Sequence, residues 1–134
     1  NLGNVQCMSK EGGAKICYIW GYGGQFPVAR IENAEYTAVV AALSSESAIL
    51  TFRNIPSPTD AQVNSFLAPL RINAGLANAL VTTETYSTVN GLTSLTDTKG
   101  MVTSFQYDDF QRLINVKDKN GNVVKHTDYH YKSK

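Results

Sequence analysis

Apolar and polar residues alternate in the last third of the chain, and this alternation predicts short β-strands joined by tight turns. Residues 93–96 and 101–107 alternate on either side of a four-residue turn that begins at Asp97 and ends at Gly100. An aspartate accepts backbone hydrogen bonds at the start of such a turn, and a glycine takes the positive φ that ends it. This segment is therefore predicted to be a β-hairpin.

The same pattern returns twenty-one residues later, so residues 91–131 form an internal repeat. Residues at this spacing pair as Tyr86 with Tyr107, Leu92 with Leu113, Leu95 with Val116, Asp97 with Asp118, Gly100 with Gly121, and Val102 with Val123. The tyrosine that ends the second copy is Tyr129, one residue late, which a β-bulge would absorb. A hairpin of this size cannot bury its own apolar face, so the copies must stack on neighbours to be stable.

The spacing of apolar residues changes to that of helices between residues 34 and 76. Residues 35–43 place their apolar side chains on one helical face. Thr59, followed by Gln62 three residues on, is a capping box that predicts the start of another helix. Residues 49–52 fit either a further helical turn or a strand. The pattern therefore predicts a small insertion of two or three helices.

The first thirty-three residues predict another hairpin, with a turn at residues 10–13 and a strong strand at residues 16–20. In this hairpin Cys7 and Cys17 lie opposite each other. A disulfide between them is geometrically allowed in the closer type of antiparallel pair. Two free thiols that act as small apolar residues are the favoured interpretation, and the disulfide remains the alternative.

Together these patterns predict an α+β fold dominated by antiparallel β-hairpins, with the small helical insertion packed on one face of the sheet. Residues 1–33 would form the first hairpin and an aromatic linker, residues 34–76 the helical insertion, and residues 77–134 the tandem hairpin repeats. A chain of 134 residues with 43% apolar composition can form one ordinary core. All three parts are therefore expected in one compact domain.

The sequence Tyr107-Asp108, followed by Arg112-Leu113, resembles the Rhs or YD-repeat family. The family unit is commonly written as Tyr-Asp, a few residues, Gly-Arg-Leu, a strand, and then Asp-x-x-Gly-Asn. Gln111 stands where the family has glycine, so it must use a different turn or bear strain if that glycine has a positive φ. The resemblance marks these residues as repeat-defining: Tyr86, Asp97, Gly100, Tyr107, Asp108, Arg112, Leu113, Asp118, Gly121 and Tyr129.

The resemblance implies a C-terminal repeat segment of a large bacterial secreted or cell-surface protein. Residues 18–34 are similar to a linker just upstream of a terminal repeat in such proteins. In the family, these repeats wind into β-shells or extended scaffolds, so the implied function is structural and non-catalytic. The implied partners are neighbouring repeats or domains of the parent protein. The chain begins at Asn1 without an initiator methionine or a signal-like segment, and we expect it to be a piece of a longer protein.

Composition argues against two other classes of protein. The formal net charge is +1 and charged residues make up 17% of the chain, so no strong field is available to attract nucleic acid. No run of about eighteen apolar residues occurs, so no membrane span is predicted.

Three aromatic residues, Trp20, Tyr22 and Phe26, are the candidate contacts for a ligand or partner. If they are exposed, they would form a platform for a glycan or protein, as in an adhesin-like surface module, which is the alternative function. Aromatic residues at this density more often pack between layers, because they bury large areas.

No catalytic residue, cofactor or metal site is predicted. Asp108 and Asp109 are adjacent, and in extended chain their side chains would point to opposite faces. His126 and His130 would lie about 13 Å apart along a strand. The two cysteines are too far apart in sequence for a zinc knuckle. A hydrolase with an unrecognised carboxylate pair is the third hypothesis.

Overall fold

Eight strands form one antiparallel sheet in which each strand pairs with the next in chain order. The computed structural model describes residues 5–9 and 15–127, and these counts refer to that part of the chain. The strands are β1 (Val5–Ser9), β2 (Lys15–Gly21), β3 (Phe26–Glu32), β4 (Leu80–Ser87), β5 (Gly91–Thr96), β6 (Val102–Tyr107), β7 (Leu113–Lys117) and β8 (Val123–His126). The predicted α+β fold class is confirmed.

Short helices connect β3 to β4. They are α1 (Tyr36–Ala42), α2 (Glu46–Arg53), α3 (Asp60–Leu67) and α4 (Pro69–Ile72), followed by the 3-10 turn Ala74–Leu76. The capping box at the start of α3 is formed: Gln62 N donates to Thr59 Oγ1 at 3.1 Å, and Thr59 N donates to Gln62 Oε1 at 2.8 Å. Residues 49–52, which the sequence left undecided, lie within α2.

The insertion has more helices than the two or three that were predicted, because Pro69 divides the last one. Proline lacks a backbone N–H and fits best in the first turn of a helix. Accordingly, α3 ends at Leu67 and Pro69 is the first residue of α4.

The core lies between the helices and one face of β2, β3 and β4. Its buried side chains include Ile19 and Ile31 from the strands and Val39, Val63 and Leu70 from the helices. In contrast, no residue from 91 to 127 is buried; all are intermediate or exposed. The repeat strands β5 to β8 therefore extend away from the core rather than enclose one of their own.

In the first hairpin, formed by β1 and β2, the favoured interpretation of the cysteines as free thiols was wrong. Cys7 and Cys17 lie directly opposite each other, as predicted, but they form a disulfide and are not free thiols. Their Cα atoms are 4.0 Å apart, the short separation of the closer type of antiparallel pair. Cys17 is fully buried, whereas Cys7 lies on the exposed edge strand β1. The bridge thus ties this edge to the core. The predicted turn at residues 10–13 lies outside the described residues.

Candidate functional site

The β5–β6 turn is held by one aspartate side chain. Oδ1 of Asp97 accepts hydrogen bonds from the backbone N–H groups of Lys99 and Met101, both at 2.9 Å. The carbonyl of Asp97 accepts from Gly100 N at 2.9 Å, and Asp97 N donates to the carbonyl of Met101 at 3.0 Å. Gly100 has a φ of 83°. This is a three-residue hairpin loop, in which a left-handed residue follows a tight turn.

The same turn occurs after β6 and after β7. Asp108 and Asp118 each accept hydrogen bonds from the backbone N–H groups two and four residues further on, at 2.8 and 3.0 Å for Asp108 and at 3.0 and 2.9 Å for Asp118. The sequence predicted only two such turns, because Gln111 replaces the glycine that marks the fourth position. Asp108 and Asp109 therefore lie in a turn, so the argument that was made for extended chain does not apply to them.

The backbone of Gln111 has the conformation that glycine has in the neighbouring turns. Its φ is 65°, in the same left-handed region as Gly100 and Gly121 in the neighbouring turns, at 83° and 85°. A side chain with a Cβ atom is disfavoured there by about 1–2 kcal/mol, although an isolated residue can be held in place by its surroundings. Gln111 thus keeps the left-handed turn of Gly100 and Gly121 and bears the strain.

We expect the substitution Gln111→Gly to raise the free energy of unfolding by about 0.5–1 kcal/mol. The relief of left-handed strain is partly offset by the greater freedom of glycine in the unfolded chain. Urea denaturation would measure the change. Gln111→Ala is the matched control, because it removes the same polar group yet keeps the Cβ atom, and it should give no gain. An equal gain from both substitutions would show that the amide, and not the backbone, is the source of the strain.

The Asp108 carboxylate also binds the side chain of Arg112. Oδ2 of Asp108 is 3.0 Å from Nε and 2.9 Å from Nη2 of Arg112. One carboxylate oxygen thus accepts hydrogen bonds from two nitrogens of the guanidinium in an ion pair. The backbone N–H of Arg112 is the main influence that lowers the pKa of the Asp108 carboxyl. In the preceding turn, the backbone N–H of Met101, and then that of Lys99, lowers the pKa of the Asp97 carboxyl. Both carboxylates are thus held ionised by their own turns.

Tyr86 and Tyr107 occupy equivalent positions in the register of the sheet. Tyr86 lies opposite Leu92 and Tyr107 opposite Leu113, and in both cases the register shifts immediately before the tyrosine. The hydroxyl group of Tyr107 donates to the carbonyl of Leu92 at 2.6 Å, which links one repeat to the previous one. Tyr129 lies outside the described residues.

The three candidate contact aromatics do not form one exposed platform. Tyr22 is only 1% exposed, and its ring packs edge-on against Phe26 and Tyr86, at 5.6 and 5.7 Å between ring centres. Phe26 and Tyr86 stack at 4.4 Å, and the Tyr22 hydroxyl accepts a hydrogen bond from Tyr86 N at 2.8 Å. Trp20 instead donates from Nε1 to Gln6 Oε1 at 3.1 Å. Two of the three aromatics, Tyr22 and Phe26, therefore join the β2–β3 turn to β4.

A residue that sequence reasoning missed, Arg71, connects the helices to the first repeat turn. Its Nη1 donates to the carbonyl of Asp97 at 2.9 Å, and its Nη2 donates to the carbonyl of Thr96 at 3.1 Å and to Thr83 Oγ1 at 3.3 Å. No pattern in the sequence distinguishes this arginine, because its partners lie far from it in sequence. It positions the first Asp turn against α4.

Catalytic and metal-binding groups do not converge in the described part of the chain. No cluster of three or more His, Cys, Asp or Glu side chains is found there. Four clefts formed by the described residues have no aspartate or glutamate in their linings. His126 lies 2.5 Å from Asn115 through its Nδ1 atom, and His130 is outside the described residues.

Comparison with known proteins assigns the repeat segment to a family. Residues 86–128 match the family model described as RHS Repeat, a range that begins at Tyr86 and includes the three Asp turns. No curated protein and no solved structure matches the chain. Among the helices of residues 5–9 and 15–127, none is long and apolar enough to cross a membrane.

Proposed function

We propose that this chain, whose residues 86–128 belong to the RHS repeat family, is a non-catalytic structural segment of an Rhs-type protein. In this role its repeats form a scaffold that continues into neighbouring repeats or domains of the parent protein. The observation that carries the proposal is the state of the repeat strands: they bury no residue, and within the described residues their last strand has no strand paired with its outer side.

The open edge is strand β8. All four of its residues are exposed, including the apolar Val123 at 51% and Val124 at 61%. It pairs with β7 on one side, and no strand of the described residues pairs with its other side. A strand edge of this kind presents unpaired N–H and C=O groups, to which a further strand can be added. Lys125 and His126 help to keep the edge soluble until a partner covers it.

The aspartates of the repeats support a structural role rather than catalysis. In each turn the carboxylate accepts hydrogen bonds from backbone N–H groups of the same loop, so its lone pairs are engaged locally. A general acid would require a carboxyl group with a raised pKa in a cleft, whereas the pKa values of Asp97 and Asp108 are lowered.

The disulfide supports a location outside the cytoplasm. Bridges such as Cys7–Cys17 form and persist in oxidising compartments and on cell surfaces, and they are rare where thiols are kept reduced. This observation favours an extracellular or cell-surface segment, and the expected bacterial source follows from the resemblance to large Rhs-type proteins. The proposed partners are the adjoining parts of that protein.

Hydrogen exchange tests the open edge. In a monomeric sample, we expect the amide hydrogens of β8 to exchange faster than those of β4, which is paired on both sides. Strand β1 is the matched control, since it is the other edge of the sheet but is attached by the disulfide, and its paired amides should exchange more slowly than those of β8. Slower exchange of β8 at high protein concentration would report addition of a strand from a second molecule.

Slow exchange of the β8 amides at every dilution would contradict the proposal if light scattering shows that the species is monomeric. The edge would then be covered within the 134 residues. The repeats would not need a neighbour, and the main support for a scaffold that continues beyond this chain would be lost.

A further inference from the structure

The side chain of Arg53 lies beside the β2–β3 turn, and its Nε atom has no hydrogen-bond partner among the described residues. Arg53 is the last residue of α2, and its carbonyl accepts a hydrogen bond from Gly23 N at 2.8 Å. Its Nε atom is buried and makes no hydrogen bond, and within the described chain its guanidinium has no ion-pair partner. A buried N–H that is left unpaired is unfavourable and rare, so its presence requires an explanation.

The turn is shaped to admit this guanidinium. A Cβ atom at Gly24 would lie 2.7 Å from Nη2 and 2.9 Å from Cζ of Arg53, so a side chain at this position would displace the arginine. At the preceding residue, Gly23, a Cβ atom would meet nothing within 4 Å. The close approach therefore depends on glycine at position 24 specifically.

Trp20 lines the same cleft. Its indole is half-buried, and the hydrogen bond from Nε1 to Gln6 Oε1 fixes the orientation of the ring. That bond uses the carbonyl of the Gln6 amide and leaves its NH₂ group as a donor. Trp20, Gln6, Gly24 and Arg53 together line a cleft of about 250 Å³. This volume lies just below the range usual for drug-sized ligands, so it suits a single ring rather than a chain of rings.

We propose that this cleft binds a small ligand that carries a carboxylate on a six-membered ring. The guanidinium supplies the charge and the planar donors that match a carboxylate. The indole supplies a flat, electron-rich face against which a ring can stack. The Gln6 amide donates to a polar substituent of that ring. A uronic acid and an aromatic acid share this chemistry, and the two are distinguished by titration with each.

The chain has one tryptophan, so its fluorescence reports directly on the cleft. The full chain is titrated with glucuronate and with benzoate, and a saturable change in emission is expected for at least one of them. Glucose provides the ring without the carboxylate, and acetate provides the carboxylate without the ring. Both should bind at least about tenfold more weakly, which corresponds to the loss of one well-made interaction. The stronger of the two ring carboxylates identifies the ligand class.

Three variants connect binding to the geometry of the cleft. Arg53→Lys keeps the charge but loses the planar fork, and it should weaken binding by about tenfold. Gly24→Ala should weaken binding by a similar factor because its methyl group displaces the guanidinium. Gly23→Ala is the matched control: its φ of 69° is close to the 85° of Gly24, so the backbone penalty is similar, but its methyl group meets open space. Circular dichroism confirms that each variant is folded.

The proposal is overturned if neither ring carboxylate gives a saturable change, or if glucose or acetate binds as tightly as the ring carboxylates. It is also overturned if Arg53→Lys binds like the original chain, or if the two glycine variants lose binding equally. Retained binding in Gly23→Ala and weakened binding in Gly24→Ala and Arg53→Lys, with all three folded, would support it.

Discussion

Replacement of Tyr22 by alanine is expected to lower the free energy of unfolding by about 3–5 kcal/mol, the range for removal of a large aromatic ring from a core. The Tyr22 ring is 1% exposed and contacts Phe26 and Tyr86, so its loss would leave a cavity where the β2–β3 turn meets β4. Tyr22 has a φ of 59°, and alanine keeps that backbone strain, so the change reports on packing. Urea denaturation would measure it.

Tyr22→Phe separates the ring from the hydroxyl group. It keeps the packing but leaves Tyr86 N without the acceptor that now lies 2.8 Å away, and it should lower the free energy of unfolding by about 1–3 kcal/mol. Phe110→Ala is the surface control: this ring is 73% exposed at the tip of a turn and lies 5.1 Å from the Arg112 guanidinium, so the change should be no more than about 1 kcal/mol. If Tyr22→Ala lowered the free energy of unfolding no more than Phe110→Ala does, the packing of the aromatic cluster would not stabilise the contact with β4.

Reduction of the Cys7–Cys17 bridge should lower the free energy of unfolding by about 2–3 kcal/mol. The two cysteines are separated by 10 positions in sequence, and a short loop of this kind gains less from a crosslink than a long one. Strand β1 should be affected first, because apart from Val5 its residues are exposed and contribute little to the core. Denaturation with and without reductant, with hydrogen exchange of the β1 amides, would measure both effects.

A double variant, Cys7→Ser with Cys17→Ala, provides the control for the bridge. It should already have the lower stability, and reductant should not change it further. If the original chain gave the same denaturation midpoint in reductant while a thiol assay detected two free cysteines, the bridge would contribute nothing to stability. Strand β1 would then be held by its backbone hydrogen bonds alone.

Features that depend on neighbouring residues could be predicted from the sequence. The turns at Asp97 and Asp118 are closed by an aspartate and a glycine within a few positions, so their residue types are sufficient. The capping box of Thr59 and Gln62 is equally local. Cys7 and Cys17 lie opposite each other because they are equally far from the centre of a short hairpin. In each case the interacting groups are close in the chain, and chain connectivity brings them together.

Prediction from the sequence failed where a residue typical of a turn was replaced by another residue type. It also failed where the residue types fitted two structures equally well. The turn that begins at Asp108 was not predicted, because glutamine at position 111 gives no sign of the positive φ that it has in the structure. Residues 49–52 had too short an apolar run to choose between helix and strand, and burial of Ile49 and Phe52 against the sheet decided for helix. Whether the opposed cysteines are bonded depended on the 4.0 Å separation of their Cα atoms, which residue types do not specify.

The sequence by itself determined the turns at Asp97 and Asp118 and the similarity of residues 86–128 to the RHS repeat, because these depend on short-range hydrogen bonds and on a repeated pattern. Only the tertiary structure decided which polar and aromatic groups are buried and which remain available. Tyr22 and Tyr86 are 64 positions apart, and Arg71 reaches a carbonyl 26 positions away. The same residue types would be exposed in another arrangement of layers. The packing of the helices against β2, β3 and β4 buries Tyr22 and leaves Arg53 beside the Trp20 cleft.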